Sequence, residues 1–273
     1  GARKIKIRRI TLAILVVLSF LFYVNIKASF TTNIKNRNRS SFEINVNNPS
    51  ADFEFEKEEV FRRTREDLSV VVIEGVFGTI DLQSSDGDEI EIISTIGANK
   101  KQVFETLRIK ETNDGRTLHY ALEGDFPDNN GLIGVSYLVN VPHDMSVRLE
   151  NNFGTINVQD FQGNLELESS FSTVSVENVV GSFAGDTNFS SVGLSEISGS
   201  LKLDSNFDAV QIRLLPDDRG YDFELDGLKE PYSINLPFIN SETIGSIFRK
   251  RRSSEPEVLI DYNFSSISIE IAD

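Results

Sequence analysis

The sequence predicts an all-β chain, a single-stack β-solenoid of coils about 18 residues long behind an N-terminal transmembrane helix, and three observations carry that expectation. Phe153, Phe171, Phe189 and Phe207 stand 18 residues apart. Each is followed by a small or polar pair and an apolar-x-apolar strand: Phe153-Gly-Thr-Ile-Asn-Val158, Phe171-Ser-Thr-Val-Ser-Val176, Phe189-Ser-Ser-Val-Gly-Leu194 and Phe207-Asp-Ala-Val-Gln-Ile212. Alternation with a period of two marks these units as strands burying one face. Gly163, Gly181 and Gly199 recur at one offset from their Phe, where a chain turning into its next coil needs positive φ.

From the N-terminus, Ile10 to Ile26 is an uncharged, mostly apolar run of 17 residues preceded by five basic residues among the first nine. At 1.5 Å per residue it reaches about 25 Å, near the short end for a ~30 Å hydrocarbon layer. An uncleaved anchor is the expectation. The alternative, a cleaved signal peptide, is poorly served by Val24-Asn-Ile-Lys-Ala-Ser29, which has no small-residue cleavage pattern. The denser basic cluster before the run places the N-terminus in the cytoplasm and the rest outside. Residues 1–27 then read as cytoplasmic stub and anchor, 28–52 as a polar stalk and lead-in strand (Phe42 to Val46), and 53–273 as the repeat domain, interrupted by a loop at 216–256.

Net charge is −15, but residues 1–39 hold nine Lys/Arg and no acid, leaving 18 basic against 42 acidic residues in the remainder, a balance of −24. So acidic a body argues against nucleic acid, whose phosphates require Lys/Arg. It suits cations, basic partners or simple solubility. The chain has no cysteine, which fits an extracytoplasmic bacterial protein better than a small disulfide-built secreted domain.

Within the repeat domain, the charged block Glu56 to Asp67 reads as a solvated turn or sheet edge. Val71 to Gly87 is the first coil, with Phe77-Gly-Thr-Ile80. Residues 89–142 continue the alternation as larger hairpins or diverged coils, broken by turn clusters at Asn113-Asp-Gly115 and Pro127 to Gly131. After four regular coils, Tyr221 to Leu236 gives two strands and Asn240 to Pro256 a loop. Val258 to Ile269 closes with a last coil, Phe264-Ser-Ser-Ile267. Aligned on Phe, the inward columns are Val147/Leu165/Phe183/Leu201, Leu149/Leu167/Gly185/Leu203, the Phe file itself, Ile156/Val174/Val192/Val210, Val158/Val176/Leu194/Ile212 and Phe161/Val179/Ile197/Leu215.

Three residues before each Phe stands an acid: Glu74, Glu150, Glu168, Asp186, Asp204 and Asp261. Stacking would bring like charges about 4.8 Å apart, a repulsion of about 1 kcal/mol per pair even in water. Either these carboxylates face solvent or accept turn N–H groups, or they form a ridge that binds a cation such as Ca2+. Otherwise no cofactor is expected. His119 and His143 are the only histidines and lie apart in sequence, which gives little support to a histidine metal site or triad. No phosphate-binding glycine loop is present. Solenoid sugar enzymes use acids on one face, but here the acids recur coil by coil, and there is no Trp to stack a sugar.

The recurring apolar-x-apolar-acid-x-x-Phe-Gly/Ser-x-Ile/Val-x-Val unit, behind a single membrane segment and closed by Phe264-Ser-Ser-Ile267-Ser-Ile269, resembles the bacterial "putative adhesin" family of β-solenoid-like repeats, whose membrane-anchored members include LiaG-like envelope proteins. The resemblance spans roughly Phe53 to Asp273 and implies binding or adhesion, with no catalytic residues to carry over. The expected function is a non-catalytic binding or scaffolding module on the outer face of the bacterial cytoplasmic membrane, linked to envelope stress. Its partner would be a cell-envelope protein or polymer. The alternatives are a bactofilin-like protein that self-associates end to end, and a polysaccharide-active β-helix enzyme.

Overall fold

The computed structural model describes residues 53–125, 132–216, 221–227, 232–235, 242–244, 247–250 and 256–271. The anchor, stalk and lead-in strand expected before Phe53 lie outside them. Among the described residues no helix is long and apolar enough to cross a membrane.

The strands are β1 (Phe55–Thr64), β2 (Val70–Val76), β3 (Thr79–Ser85), β4 (Glu89–Ala98), β5 (Arg108–Asp114), β6 (Thr117–Glu123), β7 (Ile133–Pro142), β8 (Ser146–Asn152), β9 (Thr155–Gln162), β10 (Leu165–Ser170), β11 (Thr173–Val180), β12 (Phe183–Asn188), β13 (Ser191–Ser198), β14 (Leu201–Asn206), β15 (Ala209–Leu214), β16 (Asp222–Gly227), β17 (Tyr232–Asn235), β18 (Glu242–Ile244), β19 (Ile247–Lys250), β20 (Glu257–Asn263) and β21 (Ser266–Ile271), with one short helix, α1 (Lys101–Phe104). The protein is all-β, with two large mixed sheets. One runs β1-β4-β7-β3-β9-β11-β13-β15-β21-β17 and the other β18-β19-β16-β20-β14-β12-β10-β8-β2-β6-β5.

From β8 to β15 the chain alternates between the sheets, so each 18-residue unit gives one strand to each and lies parallel and in register with the next: Leu165 opposite Phe183, Val174 opposite Val192. Every second residue of these strands turns inward, and the inward residues of both sheets join in one buried cluster. Branched and aliphatic side chains fill it, as pleated strands favour. The columns headed by Val147, Leu149, Ile156 and Val158 are buried as the sequence predicts, apart from Gly185. Where Phe183 replaces a leucine, Gly185 replaces another two residues on; a Cβ there would meet the Phe183 ring at 3.0 Å. The pair conserves core volume.

The coil corners explain the glycines. Gly163, Gly181 and Gly199 have φ of 154°, 143° and 133°, and a Cβ on each would lie 2.0–2.1 Å from the carbonyl oxygen of Met145, Gly163 or Gly181. Gly87, at the same offset in sequence, has open space around it, because β3 turns there into antiparallel β4 instead of a corner.

Four expectations are corrected. The Phe file is not inward: Phe77, Phe153, Phe207 and Phe264 are 43–70% exposed. The sixth inward column ends on Leu214, not Leu215: Ile197 pairs with Leu214 after a register shift. Asp160, Asn178 and Glu196 supply an extra residue at positive φ in the earlier coils, and β15 lacks that bulge. The interruption at 216–256 is not simply a loop. The two strands expected over 221–236 are β16 and β17, which stack parallel beyond β20 and β21; the departure lies in 240–256, read as loop, where β19 and β18 lie antiparallel outside β16. Finally, spatial order departs from chain order at both ends. β6 and β7 lie outside β2 and β3, and β20 and β21 stack directly on β14 and β15.

Candidate functional site

The corner that takes the chain from the second sheet to the first is built on phenylalanine. Phe77, Phe153, Phe171, Phe189, Phe207 and Phe264 all adopt φ between 51° and 61°, a left-handed conformation in which a bulky side chain is an outlier. Parallel pairing continues through the corner: the N–H groups of Phe153, Phe171, Phe189 and Phe207 donate at 2.9–3.0 Å to the carbonyls of Ser170, Asn188, Asn206 and Asn263 in the next coil. This fixed backbone aims the rings outward in one file. Successive centroids are 4.8–5.2 Å apart and the ring planes 2–16° from parallel.

Beneath the rings runs a buried polar ladder. After Phe153, Phe171, Phe189 and Phe207, the N–H of the next residue is accepted by a side chain at the equivalent position of the next unit, from Gly154 N–H to Ser172 Oγ at 3.4 Å onward. Ser172 N–H donates to Ser190 Oγ at 3.2 Å, Ser190 N–H to Asp208 Oδ1 at 2.5 Å and Asp208 N–H to Ser265 Oγ at 3.0 Å. The serine hydroxyls donate back to the carbonyl two residues earlier. A buried N–H therefore always finds an acceptor, which is why small polar residues follow the phenylalanines. Asp208 is the exception in chemistry. Fully buried, its carboxylate also accepts from Thr187 Oγ1 at 2.6 Å and Ser205 Oγ at 2.8 Å. Burial nevertheless outweighs these bonds and raises its pKa to about 6.

The six acids named from the sequence are brought into one ladder on the outer face of the second sheet. Glu74 lies opposite Glu150, Glu150 opposite Glu168, Glu168 opposite Asp186, Asp186 opposite Asp204 and Asp204 opposite Asp261. Asp226 extends it beyond Asp261; it was missed because no Phe follows at the spacing used to find the others. One half is partnered. His119 Nε2 is 2.7 Å from Glu74, and Arg148 bridges Glu150 and Glu168 at 2.9 and 2.5 Å. In the other half, Asp186 accepts from Asn188 Nδ2 at 3.3 Å, and among the described residues none of Asp186, Asp204, Asp261 and Asp226 is in an ion pair. Burial, then the neighbouring Asp204 and Asp226 charges, push the Asp261 carboxyl up. Glu150 is raised by burial against the pull of Arg148.

The acids form a file and do not converge: among the described residues no group of three or more His, Cys, Asp or Glu side chains is placed to hold a metal ion. His119 and His143 serve separate carboxylates, Glu74 and Asp86. The arrangement offers an apolar ridge of phenyl edges with a row of carboxylates alongside it, suited to contact over an extended surface.

No protein-family profile matches the chain, and no curated protein does. Among solved structures, it is similar to a "putative cell adhesion protein" from Clostridium sporogenes, at 12% identity and a TM-score of 0.40 over 80% of this chain and 100% of that one. It is also similar to a "putative adhesin" from Bacteroides fragilis, at 8% identity and a TM-score of 0.33 over 78% and 97%. A further "putative adhesin", from Parabacteroides merdae, matches at 13% identity and a TM-score of 0.28 over 78% and 96%.

Proposed function

We propose that the chain is an adhesin-like binding module of the bacterial cell envelope, its repeats wound as one two-faced solenoid and held at the cytoplasmic membrane by residues 10–26, acting by contact and without turnover. The observation that carries this reading is the phenyl file: six aromatic rings held outward on left-handed backbone, stacked and in large part exposed. A contiguous exposed apolar strip marks an interaction surface far more often than a scattered one does. The two-faced winding is supported by the alternation of β8 to β15 between the sheets.

The reading is tested by cosedimentation of the full chain with isolated bacterial envelope fragments, comparing wild type with the Phe171→Ser/Phe189→Ser variant after thermal melting shows both folded. Retention that drops at least about tenfold in the variant, roughly the 1.4 kcal/mol expected for one lost contact of moderate strength, supports it. Equal retention removes the phenyl file from the binding surface.

A further inference from the structure

Resting on that binding reading, we infer that the ridge takes a basic amphipathic helix of a partner protein, laid along the file with its apolar stripe on the phenyl edges and Lys/Arg on the carboxylates. Three observations lead there. The strip is long and narrow: six rings at 4.8–5.2 Å steps, with Asn152, Ser170, Asn188, Asn206 and Asn263 standing between the rings and the acids. Its charge is lopsided. His119 and Arg148 cover the acids beside Phe77, Phe153 and Phe171, whereas Asp186, Asp204 and Asp261, each three residues before Phe189, Phe207 and Phe264, have no ion pair among the described residues. Lys202, two residues before Asp204 on the same face, does not pair with it either. A partner that brings cations to this half of the strip and apolar surface to its whole length would complement it.

The period selects the partner's shape. A helix advances about 5.4 Å per turn, so one lying along the file presents an apolar residue and a flanking basic residue once per phenyl, and four to five turns span the ridge. Strand residues on one face recur only every ~6.7 Å, and would fall out of step with the rings within two or three. A second copy of this chain is disfavoured by charge, because joining two ridges would set two acidic rows against each other. Anionic lipid and nucleic acid are repelled for the same reason.

The test uses the full chain in nanodiscs of zwitterionic lipid, with empty discs as blank, titrated into three labelled synthetic peptides of about 18 residues, a length that covers the file at 1.5 Å per residue. One carries leucines at helical i, i+3, i+4, i+7 spacing flanked by lysines; the second has the same composition scrambled; the third keeps the pattern with glutamate for lysine. Expected is binding of the patterned Leu/Lys peptide at least about tenfold tighter than either control. Its affinity should fall at least about tenfold in Asp186→Asn/Asp204→Asn/Asp261→Asn and in Phe189→Ser/Phe207→Ser, and the salt dependence should weaken only in the first. Equal affinity for patterned and scrambled peptides, unchanged binding in the aspartate variant, or self-association that displaces the peptide would each overturn the inference. Should the peptide fail while envelope retention stays dependent on Phe171 and Phe189, the binding reading survives and the cationic helix does not. Loss of both dependences ends the two together.

Discussion

Replacing Asp208 with asparagine isolates the one carboxylate buried in the corner ladder. Its pKa is raised from 3.8 to about 6, so the folded state holds the proton more tightly than the unfolded chain does. Below about pH 3.8 both states are protonated and the full contribution to stability is present. Between pH 3.8 and 6 the folded state binds more protons than the unfolded, and stability falls as pH rises. Above pH 6 the loss is complete. Two pH units at 1.36 kcal/mol each make the loss about 3 kcal/mol. The Asp208→Asn substitution would keep the shape and the acceptor for Ser190 N–H. The new amide would donate to Thr187 and Ser205, whose hydroxyls can turn, Ser205 toward Ser265 Oγ at 3.0 Å. Urea unfolding of wild type and variant at pH 4, 5, 6 and 7 measures the difference, in which the titration of every shared carboxylate cancels. The variant should gain about 2 kcal/mol on wild type between pH 4 and 7, the part of the full loss that falls above pH 4. A difference that stays flat over that range refutes the account of Asp208 as a buried group ionised against its surroundings.

At Phe189, glycine relieves the left-handed strain while losing two ring contacts, whereas valine loses the contacts and keeps the strain. Phe189→Val should therefore be about 1–2 kcal/mol less stable than Phe189→Gly by urea titration, and equal stability would show the φ of 52° to be unstrained. Gly181→Ala forces a Cβ to within 2.0 Å of Gly163 O, whereas at Gly193 the nearest atom is 3.8 Å away. The first should cost at least about 2 kcal/mol and Gly193→Ala less than about 0.5, read as Tm by calorimetry. Asp261→Asn removes a carboxylate squeezed between Asp204 and Asp226, so it should raise Tm at low salt, with the gain shrinking at 0.5 M NaCl on the order of a 4–5 Å Debye length. A gain that is independent of salt would mean the like charges are not the cause.

What the sequence carried and what it concealed divide along physical lines. The 18-residue spacing fixes register, because parallel pairing converts equal chain offsets into equal lateral positions; Glu150 and Glu168 could be placed opposite each other on that ground alone. The glycine corners were legible for the same reason, although their necessity comes as much from the carbonyl approaching each Cα as from φ. The direction of the Phe side chains was not legible. Hydrophobicity argues for the interior, and only the left-handed turn of the corner, a backbone property without a spacing signature, turns the rings outward. Two expected features failed: β15 lacks the bulge that would have brought in Leu215, and β18 and β19 lie in a stretch, 240–256, whose polar composition reads as loop. Asp208 hid within the variation Gly/Gly/Ser/Ser/Asp/Ser after the six phenylalanines. The signal was there, since a residue replacing serine in a buried column must either be neutral or be held by extra donors, and Thr187 and Ser205 supply them.

The phenyl file is hard to explain as a stabilising device. A left-handed conformation on a bulky residue is strained at each of the six corners, and ring stacking offsets only part of that. Asparagine or glycine would turn the same corners with less strain, and the core proper is the aliphatic columns, whereas Phe77, Phe153, Phe207 and Phe264 are 43–70% exposed. The file therefore contributes little net stability, and partial exposure of its members forfeits much of what burial would have given. Only the surface it creates distinguishes it from the cheaper corner. That surface lies beside a carboxylate row in which, among the described residues, only the half from Glu74 to Glu168 has side-chain ion partners, so the half from Phe189 to Phe264 is where the inferred partner's cations would act.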